Sequence, residues 1–186
     1  MLHEIIKNRK STVLFDSERE LKIDLLEELF ETARWAPSSM NLQPWRFIYA
    51  QKTDDGYKNI LACLASNNQE WAKNAPVLIV TVAQVISDYK DRNNTYAWHD
   101  TAMAYASLVL HATSMGLSLH PMGGYDREKL IKATAIPERY EPVIVAALGY
   151  KADHNKFPSH LINRENSPRN RKPLTDILFR DRFGNR

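Results

Sequence analysis

The chain has 186 residues, 44% hydrophobic and 25% charged, with a net charge of +3, which suits one ordinary domain with a real core. Its single cysteine, Cys63, excludes an intrachain disulfide and any cysteine-cluster metal site, and makes a reducing, cytoplasmic setting the default expectation. The longest apolar stretch, Ala75 to Val82, is broken by Thr81 and too short to span a bilayer, and charges throughout Met1–Lys10 leave no signal-peptide core, so neither export nor a membrane role is expected.

Helix and strand patterns mix along the chain. Met1 to Asn8 carries Leu2, Ile5 and Ile6 on one face and reads as a short helix. Ile23 to Trp35 is a stronger helix: Ile23, Leu26, Leu29, Phe30 and Ala33 recur at helical spacing while Glu27, Glu28 and Glu31 fill the opposite face. Pro37 stops it. Trp45 to Ala50 reads as a short strand, Thr53 to Ala65 as a helix, and Pro76 to Val85 as a buried strand rich in Val and Ile. Tyr96 to Met115 is a long helix whose alanines at 102, 104, 106 and 112 permit close packing, with Gly116 as its stop. Asp126 to Ala135 is a further helix and Pro142 to Gly149 a second buried strand. No linker or internal repeat divides residues 1–186. The residues point to a single α+β or α/β domain with few strands for its length.

The charge is unevenly placed. Residues 164–186 hold seven Lys/Arg and three Asp/Glu, a balance of +4, so a chain total of +3 leaves −1 for everything before them. A basic tail can attract nucleic acid, a membrane surface or a small phosphate. Pro168, Pro173, Leu174, Ile177, Leu178 and Phe179 interrupt it, and these apolar residues need a packing surface such as a second subunit. The near-neutral body and the lack of any nucleic-acid-binding motif count against a nucleic-acid module.

Familiar catalytic signatures are missing: no G-x-G-x-x-G, no G-x-x-x-x-G-K-[ST], no H-E-x-x-H and no G-x-S-x-G. The six histidines, at 3, 99, 111, 120, 154 and 160, show no metal spacing, so no metal site is expected. What stands out is the loop Ala36-Pro37-Ser38-Ser39-Met40-Asn41-Leu42-Gln43-Pro44-Trp45, between a helix and a strand. Two prolines stiffen it and four polar side chains lie between them. Either it is a rigid turn satisfying its own backbone, or it is a platform of donors and acceptors for a flat heteroaromatic ligand.

The A-P-S-S-x-N-x-Q-P-W pattern after an amphipathic helix resembles the signature of the FMN-binding nitroreductase family. Asn8-Arg9-Lys10-Ser11 is similar to that family's R-R-S element, and Asn68-Gln69-Glu70-Trp71 to its central element. Pro121-Met122-Gly123-Gly124-Tyr125-Asp126 resembles its Gly-Gly loop, and Arg169-Asn170-Arg171-Lys172-Pro173-Leu174 its basic C-terminal element. All five occur in the family's order. The resemblance implies a three-layer α-β-α sandwich, with a central, mainly antiparallel sheet flanked by helices, in an intertwined homodimer whose residues 164–186 pack on the partner.

The same resemblance implies FMN as cofactor. Arg9, Ser11, Arg169 and Arg171 would hold its phosphate, with Lys10 adding main-chain contacts. Asn68 would read the polar pyrimidine edge, and Met122, Gly123 and Gly124 would bring backbone N–H groups to the hydride-accepting nitrogen. Pro37, Ser38, Ser39 and Asn41 would come from the other subunit, and Met40, His120 and Tyr125 would border the substrate pocket. The implied activity passes hydride from NAD(P)H through the flavin to a nitroaromatic, quinone or similar small acceptor by a ping-pong route. The flavin carries the chemistry, so no side chain is expected to be a catalytic acid or nucleophile.

Two positions depart from the pattern. Some relatives carry a cation two residues after the R-R-S serine and another three after the central Asn, near the flavin edge that gains charge on reduction. Here these are Val13 and Trp71. Val13 is therefore expected beside the pyrimidine edge, and an FMN-binding protein of the same fold with another role (flavin fragmentation, dehalogenation or ligand sensing) is the alternative. A structural dimer without cofactor is a third reading.

Overall fold

The computed structural model describes residues 2–185; Met1, the first residue of the expected N-terminal helix, lies outside them. Four strands form one sheet in the order β1-β2-β6-β5: β1 Trp45–Gln51, β2 Val77–Gln84, β5 Ser118–Met122 and β6 Tyr140–Gly149. Every pair is antiparallel, with Trp45 opposite Ala83, Val77 opposite Leu148 and Ser118 opposite Gly149. A two-stranded ribbon, β3 Ile86–Ser87 with β4 Arg92–Asn93, stands apart from it.

Both faces of the sheet are covered, which is why β2 reads as an unbroken apolar run. All eight of its residues are buried. Leu78, Val80 and Val82 point into one cluster with Tyr57, Ile60, Trp71 and Leu130. Val77 and Ile79 point into a second with Leu26, Leu29, Leu108 and Ala112. The first cluster is roofed by α3 (Asp55–Leu61), α4 (Ser66–Ala72), α6 (Arg127–Thr134) and Leu161 of α7 (Ser159–Glu165). The second lies under α2 (Ile23–Arg34) and α5 (Ala97–Ser114). These are the helix, sheet and helix layers expected for an α+β sandwich. Each fully buried Leu contributes about 1.5–3 kcal/mol to holding them together.

Local signals explain the boundaries. Gly116 takes φ 74°, and the Leu117 N–H reaches back to Ala112 O at 2.8 Å, closing α5 as a glycine stop should. Asp126 caps α6 by accepting from the Lys129 N–H at 3.0 Å. Pro142 is tolerated in β6 because it lies beyond the last pair with β5, Met122 opposite Val145, and beside the bulge at Thr81/Val82.

Several expected boundaries move. The first helix is confined to α1, Glu4–Asn8. The helix expected over Thr53–Ala65 stops at Leu61, and α4 follows as a separate turn-linked helix. β6 begins two residues before Pro142, at Tyr140. Of the alanines at 102, 104, 106 and 112 in α5, Ala104 and Ala112 pack on the sheet, whereas Ala102 and Ala106 face outward. Among the described residues, no helix is long and apolar enough to cross a membrane.

Candidate functional site

The N-terminal segment runs from α1 into a buried stretch, Thr12 to Phe15, that lies against the first core cluster. Its entry is therefore fixed, and Arg9, Lys10 and Ser11 stand at the rim. There they meet the tail: Arg9, Lys10, Ser11, Ser167, Pro168, Arg169 and Arg171 line one open cleft of about 310 Å³. Burial, then the charges of Arg169 and Arg171, push the Arg9 pKa down. No carboxylate pairs with any of these three guanidinium groups among the described residues; Glu165, the nearby acid, is taken by Lys10 and Lys151. Arg169 donates to the Lys7 and Arg9 carbonyls, which ties the tail to α1. Arg171 is held only by the Asn170 carbonyl, at 2.7 Å. The Tyr105 hydroxyl, buried without a partner, lies within the field of Arg9, and burial pushes its pKa far up.

Glu165 organises this rim from beneath. Its fully buried side chain forms an ion pair with Lys151 Nζ at 2.9 Å and accepts from Thr12 Oγ1 at 2.9 Å and the Val13 N–H at 3.1 Å. Burial alone would raise its pKa, but the Lys151, Val13 and Thr12 hydrogen bonds outweigh it and hold the carboxyl below its ordinary value. The Lys10 ammonium also reaches the Glu165 carbonyl, which draws its side chain toward Glu165.

A second group gathers at the end of the edge strand β5. Asn68, on the first turn of α4, is buried and donates from Nδ2 to Gly124 O at 3.3 Å. A Cβ at Gly124 would stand 3.2 Å from that same Nδ2, whereas a Cβ at Gly123 would meet open space. Backbone access at this turn therefore depends on glycine at 124 and on empty volume at 123. Met122 does not share it through its side chain, which is 2% exposed and part of the core; only its main chain is available. Tyr125 is likewise anchored, its hydroxyl donating to Pro142 O at 2.9 Å.

His120 joins the two groups. Its Nδ1 lies 2.7 Å from the Thr12 carbonyl, and its ring stacks on Trp71 at a centroid distance of 4.3 Å. Burial lowers its pKa, opposed by the Thr12 hydrogen bond. Val13 does not stand at the rim as expected. Its side chain is 1% exposed and packs in the core, because the stretch from Thr12 to Phe15 is buried at every position. Trp71 is equally enclosed, between Phe15 and His120, with Arg164 over its ring.

The Pro37–Asn41 loop lies elsewhere in the protomer. Ser39 and Met40 line a separate cleft with residues of the β3–β4 ribbon and Tyr96, apart from Arg9, Asn68 and Gly124. Met40, Asn41 and Gln43 all have positive φ, at 51°, 55° and 48°, a conformation costing about 1–2 kcal/mol at a residue with a Cβ. Two contacts enforce it. Ser38 Oγ accepts from the Gln43 N–H at 3.0 Å, and Asp100 Oδ2, on a side chain 2% exposed, accepts from the Ser39 N–H at 2.9 Å. Met40 is left 71% exposed at the tip. Sequence reasoning missed Asp100, Arg164 and Glu165. A carboxylate in a helix looks solvated unless its distant partners are known. Among the described residues no cluster of three or more His, Cys, Asp or Glu could hold a metal ion.

An all-antiparallel α-β-α sandwich, with a cationic cleft and a glycine turn joined across one face of its sheet, places the chain in the α+β class. The Nitroreductase family model matches residues 6–68 and 61–150, and the chain belongs to that family. It superposes with a TM-score of 0.93 on a crystal structure described as "the oxidoreductase containing FMN", at 31% identity, covering 100% of this chain and 94% of the other. It is 29% identical to "Putative NAD(P)H nitroreductase YdgI" of Bacillus subtilis (strain 168), over 81% of this chain and 88% of that protein. It is 39% identical to the "Oxygen-insensitive NADPH nitroreductase" of Helicobacter pylori (strain ATCC 700392 / 26695), over 41% of this chain and 36% of that protein.

Proposed function

We propose that this protein is an FMN-dependent oxidoreductase that takes hydride from NAD(P)H and passes it to a small acceptor such as a nitroaromatic or a quinone. The two substrates use the same face of the site in turn. The observation that carries the reading is the convergence of Arg9, Arg169 and Arg171 on one cleft without a carboxylate among them. Arg9, whose basicity burial and the charges of Arg169 and Arg171 lower, is stabilised with them by an anion, and a phosphate dianion meets guanidinium groups with paired oxygens. The open space at Gly123 fits the same molecule at its other end.

FMN, when bound, supplies the two-electron chemistry. The chain's own residues hold, orient and shield. Arg9, Ser11, Arg169 and Arg171 bind the phosphate, and Lys10 contributes main-chain contacts. Asn68, fixed by Gly124 O, presents its amide to the polar ring edge, and the main chain of Met122, Gly123 and Gly124 borders the ring. Pro37, Ser38, Ser39 and Asn41 come from the second subunit, on a loop whose strain is the kind found at ligand sites. Met40 and His120 border the substrate space; Tyr125 shapes it from behind.

A homodimer fits the exposed apolar surface. The outward face of α5 presents Trp98, Ala102, Ala106 and Leu110 without one charged side chain among them. In the tail, Leu174 is 70% and Phe183 94% exposed, which a partner subunit would cover. The buried, uncharged Val13 and Trp71 favour one second reading, an FMN-binding protein of this fold with another role. Fluorescence titration of the apoprotein with FMN tests the main reading. Stoichiometric uptake, weakened in Arg9→Ala, supports it, and no uptake by the wild type overturns it.

A further inference from the structure

We infer that His120 is the redox-linked proton site of this flavin pocket: its imidazole takes up one proton from solvent when the bound ring accepts hydride, and releases it on reoxidation. The inference rests on the function proposed above.

Geometry places His120 where such a role is exercised. Thr12, whose carbonyl it contacts at 2.7 Å, follows Ser11 of the cationic cleft. Trp71, on which it stacks, lies three residues after Asn68, and Gly123 lies three residues after His120 itself. A ligand reaching from the arginines to the glycine turn passes this junction.

The tautomer is fixed. A carbonyl oxygen only accepts, so Nδ1 must carry the proton that meets Thr12 O, and the neutral ring keeps its lone pair on Nε2. Nε2 has no hydrogen-bond partner among the described residues and is not among the sealed polar atoms, so water reaches it. Facing the ring are Arg9 from the N-terminal segment, Arg164 and Glu165 from α7, and the uncharged Trp71 of α4. The two arginines are permanently charged, and Glu165 is locked in its own ion pairs. His120 is thus the one group of this set that titrates near neutral pH. Burial and the two arginines keep it neutral in the resting site, while Thr12 and Glu165 work the other way. Negative charge arriving nearby favours the imidazolium.

The stoichiometry closes. NAD(P)H delivers two electrons and one proton as hydride, leaving the ring one unit more negative. His120 takes a proton from water and offsets that unit. The acceptor then leaves with hydride and that proton, so NAD(P)H, one proton and the acceptor give NAD(P)+ and the two-hydrogen product. With Val13 and Trp71 uncharged and buried, no lysine is available for the task at those positions.

Spectroelectrochemical titration of the FMN-loaded protein at a series of pH values tests this. One proton per two electrons moves the midpoint by about 30 mV per pH unit. Wild type should show two protons per two electrons through the imidazole range, and His120→Gln one. Equal slopes in two flavin-loaded proteins overturn the inference and leave the proposed function standing; a wild type that takes up no FMN overturns both. NMR of the His120 ring in the wild type alone gives an independent readout, needed if the variant does not fold. Its titration midpoint should rise by about one unit or more on reduction, and an unmoved midpoint overturns the inference.

Discussion

Replacing Glu165 by Gln removes one charge from the base of the cationic cleft while nearly preserving shape. In the wild type the carboxylate meets Lys151 Nζ at 2.9 Å and Lys10 Nζ at 3.5 Å, and receives the Thr12 hydroxyl and the Val13 N–H. Glutamine keeps an acceptor oxygen for Thr12 and Val13 but turns an NH2 group toward two ammonium groups. Stranding a fully buried charge costs about 3–5 kcal/mol. Here the lysine side chains are 41% and 44% exposed and can turn to water, so the loss should be nearer that of one charge-assisted hydrogen bond, about 1.5–3 kcal/mol. In urea, at about 1–3 kcal/mol per molar, the midpoint should fall by about 1 M at pH 7. The sign with pH follows from a folded pKa below the ordinary carboxylate value. The carboxylate's contribution is fully present above the unfolded pKa and lost as pH falls through the folded one. The gap between wild type and variant should therefore be full at pH 7 and close in acid, as pH falls below the ordinary carboxylate range and through the folded value. A gap that is the same at both ends, or absent at pH 7, would refute the buried, ionised Glu165.

Arg171→Ala should weaken FMN binding by about 1–3 kcal/mol, while Arg169→Ala should also release the tail from α1, seen as faster proteolysis of residues 164–186; unchanged affinity in both would assign the tail another task. Val13→Lys buries an ammonium in the core and should cost about 3 kcal/mol or more of stability rather than tune the flavin; thermal melting at the wild-type temperature would put Val13 back at the rim. Ala106→Glu with Leu110→Glu on the outward face of α5 should yield a monomer by sedimentation, with weakened FMN binding. A monomer that holds flavin as tightly as wild type would contradict a site shared between subunits.

Long periodic elements were legible from sequence for a physical reason: α2, α5 and β2 each bury a repeating face or an entire run. The elements that were not legible owe their form to neighbours. β5 contains Ser118, His120 and Pro121 and buries only Leu119 and Met122, so its pairing with β6 decides it. α4 has no capping side chain, and α7 buries little besides Leu161 and Glu165. The clustered arginines of the tail announced an anion, and the structure brings Arg169 and Arg171 to Arg9 and Ser11. Asp100 and Glu165 gave no such notice, since Ser39, which Asp100 holds, and Thr12, which Glu165 holds, lie 61 and 153 residues away in sequence. Val13 was misplaced because the sequence gives no sign that the strand-like stretch after Ser11 is buried on every side.

The visible spectrum of the FMN-reconstituted protein, recorded before and after anaerobic NADPH and again after a nitroaromatic or quinone, tests the proposed activity most directly. The flavin band near about 450 nm should appear, bleach with NADPH and return with the acceptor. Failure to take up FMN, or bound FMN that neither NADPH nor NADH bleaches, would contradict it.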